Sequence, residues 1–224
     1  MRNNIRCVRA VLLAVLYLCI YVAPCVAEVS EHVKQARIFL DETLKILETG
    51  NKTNKQKRQI IVNRYMPNID FAWNAKAALG RPYLQLSEQE RKEYINEYTK
   101  FLVYTWLPKL NYDTKSGIKM SISDKSTPLT DTDETITLII SMPDGTKYEA
   151  FLRTKIDKKT HKFQILNILV EGIDLVLSYR AQFVGYMEQN KNDPRSIIQY
   201  LKQQNQIKKQ NADFVIPEEF INNK

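Results

Sequence analysis

Phe163-Gln164-Ile165-Leu166-Asn167-Ile168-Leu169-Val170-Glu171-Gly172-Ile173-Asp174-Leu175-Val176 is the stretch whose reading decides the fold. From Phe163 to Val170 it is strongly apolar and rich in β-branched residues, which predicts a strand. Gly172 interrupts the run. Helical spacing resumes after it, with Leu175, Val176, Tyr179, Phe183, Tyr186 and Met187 forming a broad apolar stripe. The hydrophobic period changes from strand to helix within this one segment, so a sheet ends here and a helical layer begins.

Working upstream, the strand-type period persists. Lys147 to Ile156 reads as a strand, joined to the Phe163 strand through the turn Asp157-Lys158-Lys159-Thr160-His161. Pro143-Asp144-Gly145 is the turn before it, and Thr135 to Met142 is the preceding strand. Ile118, Met120 and Ile122 alternate with polar residues as a further strand. Short connections between these four make an antiparallel meander. Along them, Ile136, Leu138, Ile140 and Met142 share one face, as do Tyr148, Ala150 and Leu152, and Leu166, Ile168 and Val170. Ile139, Phe151 and Ile165 fall on the opposite face.

The segments outside the meander are helical. Ser30 caps a helix to about Thr49, with Gly50 ending it; a second covers Lys55 to Tyr65 before Met66-Pro67. Asp70 caps a third through Ala78, closed by Gly80. Ser87-Glu88-Gln89-Glu90 is a capping box opening a helix that presents Tyr94, Ile95, Tyr98, Phe101 and Leu102 on one side. At the other end, Asp193-Pro194 reads as N-cap and first position of a closing helix with Ile197, Ile198 and Leu201. Residues 204–224 are mostly polar and read as a loosely ordered tail, with Phe214, Val215 and Ile216 able to dock. Helices, meander, helices is the order of an α+β domain with helices packed on one face of the sheet.

The first residues have a different character. Arg2, Arg6 and Arg9 precede an apolar run from Ala10 to Val22, and Ala23-Pro24-Cys25-Val26-Ala27 supplies small residues before Glu28. This is the layout of a cleaved export signal, residues 1–27. The run is short for a permanent membrane anchor, which wants about 20 apolar residues. All three cysteines lie inside this segment, so the domain, residues 28–203, is left without disulfide or thiolate chemistry. Three arginines of the leader contribute to the formal net charge of +8. The remaining positive balance favours anionic surfaces. Its basic residues are dispersed, apart from Lys52, Lys55, Lys57 and Arg58, which read as a solvated helix face rather than a nucleic-acid patch.

Little in the chain points to catalysis. His32 and His161 are its two histidines; both read as surface residues without an orienting partner. There is no nucleophile elbow, no phosphate-cradling glycine loop and no His-x-x-x-His pair. Asp131-Thr132-Asp133-Glu134 lacks the glycine and distal glutamate of a calcium loop and reads as an acidic turn. No metal or cofactor is expected.

The Phe163–Val176 stretch, followed by Tyr179-Arg180-Ala181-Gln182-Phe183, resembles the signature of the Mla-type periplasmic phospholipid-binding family. These are also called toluene-tolerance auxiliary components of ABC lipid transporters. Ala78-Leu79-Gly80-Arg81-Pro82-Tyr83 resembles the family's Leu-Gly-x-x-Tyr/Trp turn, and Leu86-Ser87-Glu88-Gln89-Glu90-Arg91 its capped helix start. Phe163, Asn167 and Asp174 stand where the family commonly has tryptophan, aspartate and serine.

The resemblance implies a monomeric periplasmic carrier that shuttles phospholipid between inner and outer membranes. Its implied partners are an inner-membrane ABC transporter complex and an outer-membrane lipoprotein complex. It also implies an elongated apolar pocket enclosed between sheet and helices. On this chain the pocket would be lined by Ile136, Leu138, Ile140, Tyr148, Ala150, Leu152, Leu166, Ile168 and Val170, with Leu175, Tyr179 and Phe183 opposite. Arg81 and Arg180 are the candidates for head-group contact. Two other readings stand beside it. One is a small α+β enzyme with an apolar pocket, using Asp174 or Asn167. The other is an adaptor with a filled core.

Overall fold

The computed structural model describes residues 28–48, 52–109 and 117–222. The expected export signal lies outside them. Seven α-helices are described: α1 (Glu31–Glu48), α2 (Asn54–Tyr65), α3 (Phe71–Leu79), α4 (Glu88–Trp106), α5 (Leu175–Glu188), α6 (Arg195–Gln210) and α7 (Glu219–Asn222). Between α4 and α5 lies one antiparallel sheet in sequential order: β1 (Lys119–Pro128), β2 (Asp133–Ser141), β3 (Lys147–Ile156), β4 (Phe163–Val170) and β5 (Ile173–Asp174). The fold is the α+β meander that the changing period predicts. None of the described helices is long and apolar enough to cross a membrane.

Local chemistry places the helix starts. Thr53 and Ser87 each form a capping box, with Gln56 and Glu90 returning a bond to the cap amide. Asp70 accepts from the Trp73 amide at 2.9 Å, and Asp174 from the Leu177 amide at 2.8 Å. Gly80 closes α3 at φ +68°, ψ −140°, a conformation closed to side-chain-bearing residues. At α6 the structure moves the cap by one: Pro194 is the N-cap, and Asp193 instead accepts from the Arg195 amide. α6 runs on to Gln210, past the point where the sequence reading begins a polar tail. Phe214 and Ile216 are buried beyond it.

Two features of the decisive stretch depart from simple alternation. β4 carries a bulge: Arg153 pairs with Asn167, whereas Thr154 pairs with Ile165, leaving Leu166 as the extra residue. Ile165 thereby joins the face of Ile136 instead of the reverse face, and packs with it. The buried Leu166 leaves the alternation it was expected to share with Ile168 and Val170; its carbonyl accepts from the Asn74 side chain. The second feature is a tight hairpin. Val170 pairs with Ile173, and the two residues between, Glu171 (φ 51°) and Gly172 (φ 78°), both have positive φ. That is the backbone of a type I′ turn. It adds β5 before the helix starts.

The apolar side chains form two cores. One is helical: Phe71, Ala75, Leu79, Tyr94, Tyr98, Phe101, Val176, Tyr179, Phe183, Ile197 and Leu201 are among its members. The other joins Val33 and Ala36 of α1 to Ile122, Ile136 and Phe163 of the sheet.

Candidate functional site

The registers show what the sheet presents. Met120 pairs with Ile140, and Ile140 with Tyr148. The next row is Ile122, Leu138, Ala150 and Val170; the next is Ile136, Leu152 and Ile168. Cross-strand partners share a face, and rows two residues apart stay on it. Eight of the expected lining residues, Ile136, Leu138, Ile140, Tyr148, Ala150, Leu152, Ile168 and Val170, therefore form one continuous apolar surface. Helix α1 covers one end of it, where Ile136 is fully buried with Val33 and Ala36. Towards the other end the cover thins. Met120, Tyr148 and Val170 are exposed, and Ile140 is half-buried. These exposed apolar side chains, aligned across neighbouring strands, make the open end of the sheet face the candidate site.

The opposing wall expected from sequence sits elsewhere. Tyr179 and Phe183 pack with one another and with Tyr98, ring centroids 6.1–6.2 Å apart, and Leu175 packs against the same helical core. Tyr179 also accepts a hydrogen bond from the Trp106 indole at 2.8 Å. An apolar helical stripe shows that a face is buried but not against what. Here α5 spends its stripe on α3, α4 and α6, so Leu175, Tyr179 and Phe183 do not face the sheet rows.

Concavities of about 270 and 380 Å³ open on the surface of the described residues. Gln35, Ile38, Phe39, Glu42, Arg64, Tyr65, Asn68 and Phe163 line the first. The larger lies against Trp73, Lys76, Ala77, Gly80, Arg81, Tyr83 and Leu84. Arg81 is exposed at the larger one. Arg180 is half-buried, and its Nε donates to the Ala77 carbonyl at 3.0 Å, capping the end of α3. The two arginines thus stand on either side of Gly80 and away from the sheet rows.

The enzyme candidates are occupied structurally. Asn167 Nδ2 donates to Asp174 Oδ2 at 2.8 Å, while Asp174 Oδ1 caps α5. His161 is exposed. His32, read from sequence as a surface residue, is buried instead, 2.8 Å from Thr154 Oγ1. Thr154 donates to the Glu134 carbonyl, so His32 Nδ1 carries the proton and donates to Thr154. Burial lowers the His32 pKa, against the opposing pull of Glu134, Asp133 and Glu31. The fully buried Thr154 cannot meet a substrate, and the pair fastens α1 to the sheet.

The architecture and the open apolar sheet face define the class: an α+β domain of helices against an antiparallel meander. The model of the MlaC protein family matches residues 38–203, and the chain belongs to that family. A solved structure with this fold is that of a phospholipid-binding protein from Ralstonia solanacearum in complex with a phospholipid. It is 15% identical with a TM-score of 0.66, the match covering 80% of this chain and 99% of that one. No curated protein matches the chain.

Proposed function

We propose that this protein is a periplasmic phospholipid carrier that acts without catalysis. It would move lipid between the inner and outer membranes in association with an ABC transporter complex and an outer-membrane lipoprotein complex, as a monomer and without nucleic acid. The observation that carries the reading is the apolar surface running across β1 to β4, covered by α1 at one end and open at the other. Membership of the MlaC protein family and the phospholipid bound to the Ralstonia protein support it.

In this reading acyl tails lie along the rows of Ile140–Tyr148, Leu138–Ala150–Val170 and Leu152–Ile168, and the head group stays in water. Each methylene removed from water contributes about 0.8 kcal/mol. The competitor is not water, however, but a bilayer that buries the same tails. A carrier therefore needs a surface about as apolar as the membrane and no more. Loading and release then depend on partners that shift a balanced equilibrium. Head-group recognition is loose, because Arg180 is committed to the Ala77 carbonyl and Arg81 faces open solvent.

Ile140→Asp tests this. Ile140 is half-buried between Met120 and Tyr148, so a carboxylate there costs the fold about 1 kcal/mol but excludes an acyl chain. The expected result is a modestly lowered denaturation midpoint, with the chain still folded, and a several-fold loss of phospholipid extracted from the purified protein. Unchanged lipid content would remove the sheet face from the site.

A further inference from the structure

The surface where α3 ends beside α5 carries cations without acidic residues in its own turn. From Phe71 to Ser87 the only charged residues are Lys76 and Arg81. Both rim the 380 Å³ concavity. Arg180 reaches the same turn from α5, its guanidinium 3.5 Å from where a Cβ on Gly80 would lie. Among the described residues none of these three cations has a carboxylate partner. The carboxylates flanking α5, Asp174 and Glu188, stand at its two ends, and Asp174 is spent on capping. Apolar side chains project from the same region. Leu84 is 68% exposed at the concavity, and Leu177 and Val184 are 53% and 41% exposed. They lie three residues before and four after Arg180, which puts them on its flank of the helix.

From this geometry we propose that the Lys76–Leu84 turn and the Leu177–Val184 flank of α5 form a docking surface for an anionic phospholipid bilayer. The exposed Lys76 and Arg81, without carboxylate partners, call for an anionic partner, and exposed Leu84, Leu177 and Val184 call for an apolar one. A membrane interface offers both at once. An extended peptide pairing along the main chain would find several of the turn's carbonyls already taken. The Tyr83 and Leu84 carbonyls accept from Arg91, the Ala77 carbonyl from Arg180, and the Lys76 carbonyl from the Gly80 amide. Leu177 and Val184 project from α5 into solvent, and Leu84 stands exposed at the rim of the concavity, within reach of the head-group layer. This inference goes beyond the carrier reading, and vesicle adsorption is measured independently of bound lipid.

The experiment is flotation of the purified protein with vesicles of phosphatidylcholine alone and with about 30% phosphatidylglycerol, at low salt. Wild type floats with the anionic vesicles at least about fivefold more than with the neutral ones, and Lys76→Glu with Leu84→Asp lowers this at least about tenfold. Far-UV circular dichroism and the denaturation midpoint verify the fold of each variant, the two substituted side chains being exposed. Lys159→Glu with Lys162→Glu removes comparable charge at the β3–β4 turn and leaves flotation within about twofold. Absence of wild-type flotation would overturn the proposal, as would equal losses in the two double variants, which would mean bulk charge alone. Flotation confined to vesicles carrying membrane proteins would assign the surface to a protein receptor and also overturn it. Lipid extracted from the same preparations reports separately on the carrier reading.

Discussion

His32 joins the first turn of α1 to the C-terminal end of β3 through one hydrogen bond, and its burial gives that bond a pH dependence. A lowered pKa in the folded chain means that the unfolded chain takes up the proton first. Stability from the neutral ring is complete above the ordinary value of 6.5 and is lost as pH falls below it, until the folded group also titrates. Denaturation midpoints at pH 7.5 and 5.5 will therefore differ more for wild type than for His32→Asn, which keeps a donor without the titration. Equal differences would remove His32 from the coupling. Asn74 is the second residue of this kind. Its buried side chain supplies a hydrogen bond to the carbonyl of Leu166 in the bulge. Asn74→Ala will cost about 1–3 kcal/mol in urea denaturation, the penalty of an orphaned buried carbonyl. Neither role is legible in the sequence. A histidine in a first helical turn and an asparagine in a short helix both look like solvent-facing residues until the sheet is placed against them.

At the scale of elements, the helices are legible because their ends are chemical. Asp70, Ser87 and Asp174 cap the helices that begin after them, and Gly80 stops the helix before it. β3 and β4 are legible because both are apolar runs between turns. Elsewhere the residues permit two answers. Ile165, Leu166, Ile168 and Val170 satisfy alternation either straight or with one extra residue, and only pairing with β3 selects the bulge. Glu171 carries no turn signal, so the hairpin to β5 is not visible in the sequence. Its positive φ costs a glutamate roughly 1–2 kcal/mol relative to a residue at ease there. Glu171→Asn, giving the favoured Asn-Gly turn, will raise the denaturation midpoint, by up to about 1 kcal/mol in stability. Gly172→Val will lower it by about 1–2 kcal/mol. A gain from Gly172→Val would contradict the turn assignment. Of the nine sheet residues that alternation assigns to the candidate site, eight do share a face, and Leu166 is the one that the bulge removes. The α5 half of the site does not join them. Leu175, Tyr179 and Phe183 are apolar because helices need them, a purpose that the sequence pattern cannot separate from lining a pocket.

At the scale of the molecule, the division into two cores allows function without catalysis. The helical core, closed by edge-to-face contacts of Tyr98 with Tyr179 and Phe183, carries much of the packing and leaves the sheet free of that duty. The sheet can then keep apolar rows that α1 covers only in part. A protein that exposes such rows stably either fills them with a partner or lends them out, and the proposed carrier lends them to lipid. Native mass spectrometry of the protein purified without detergent tests that claim most directly. The account predicts a species heavier than the polypeptide by the mass of one phospholipid, returning to the polypeptide mass after solvent extraction. A single species at the polypeptide mass, with no phospholipid in the extract, would contradict it.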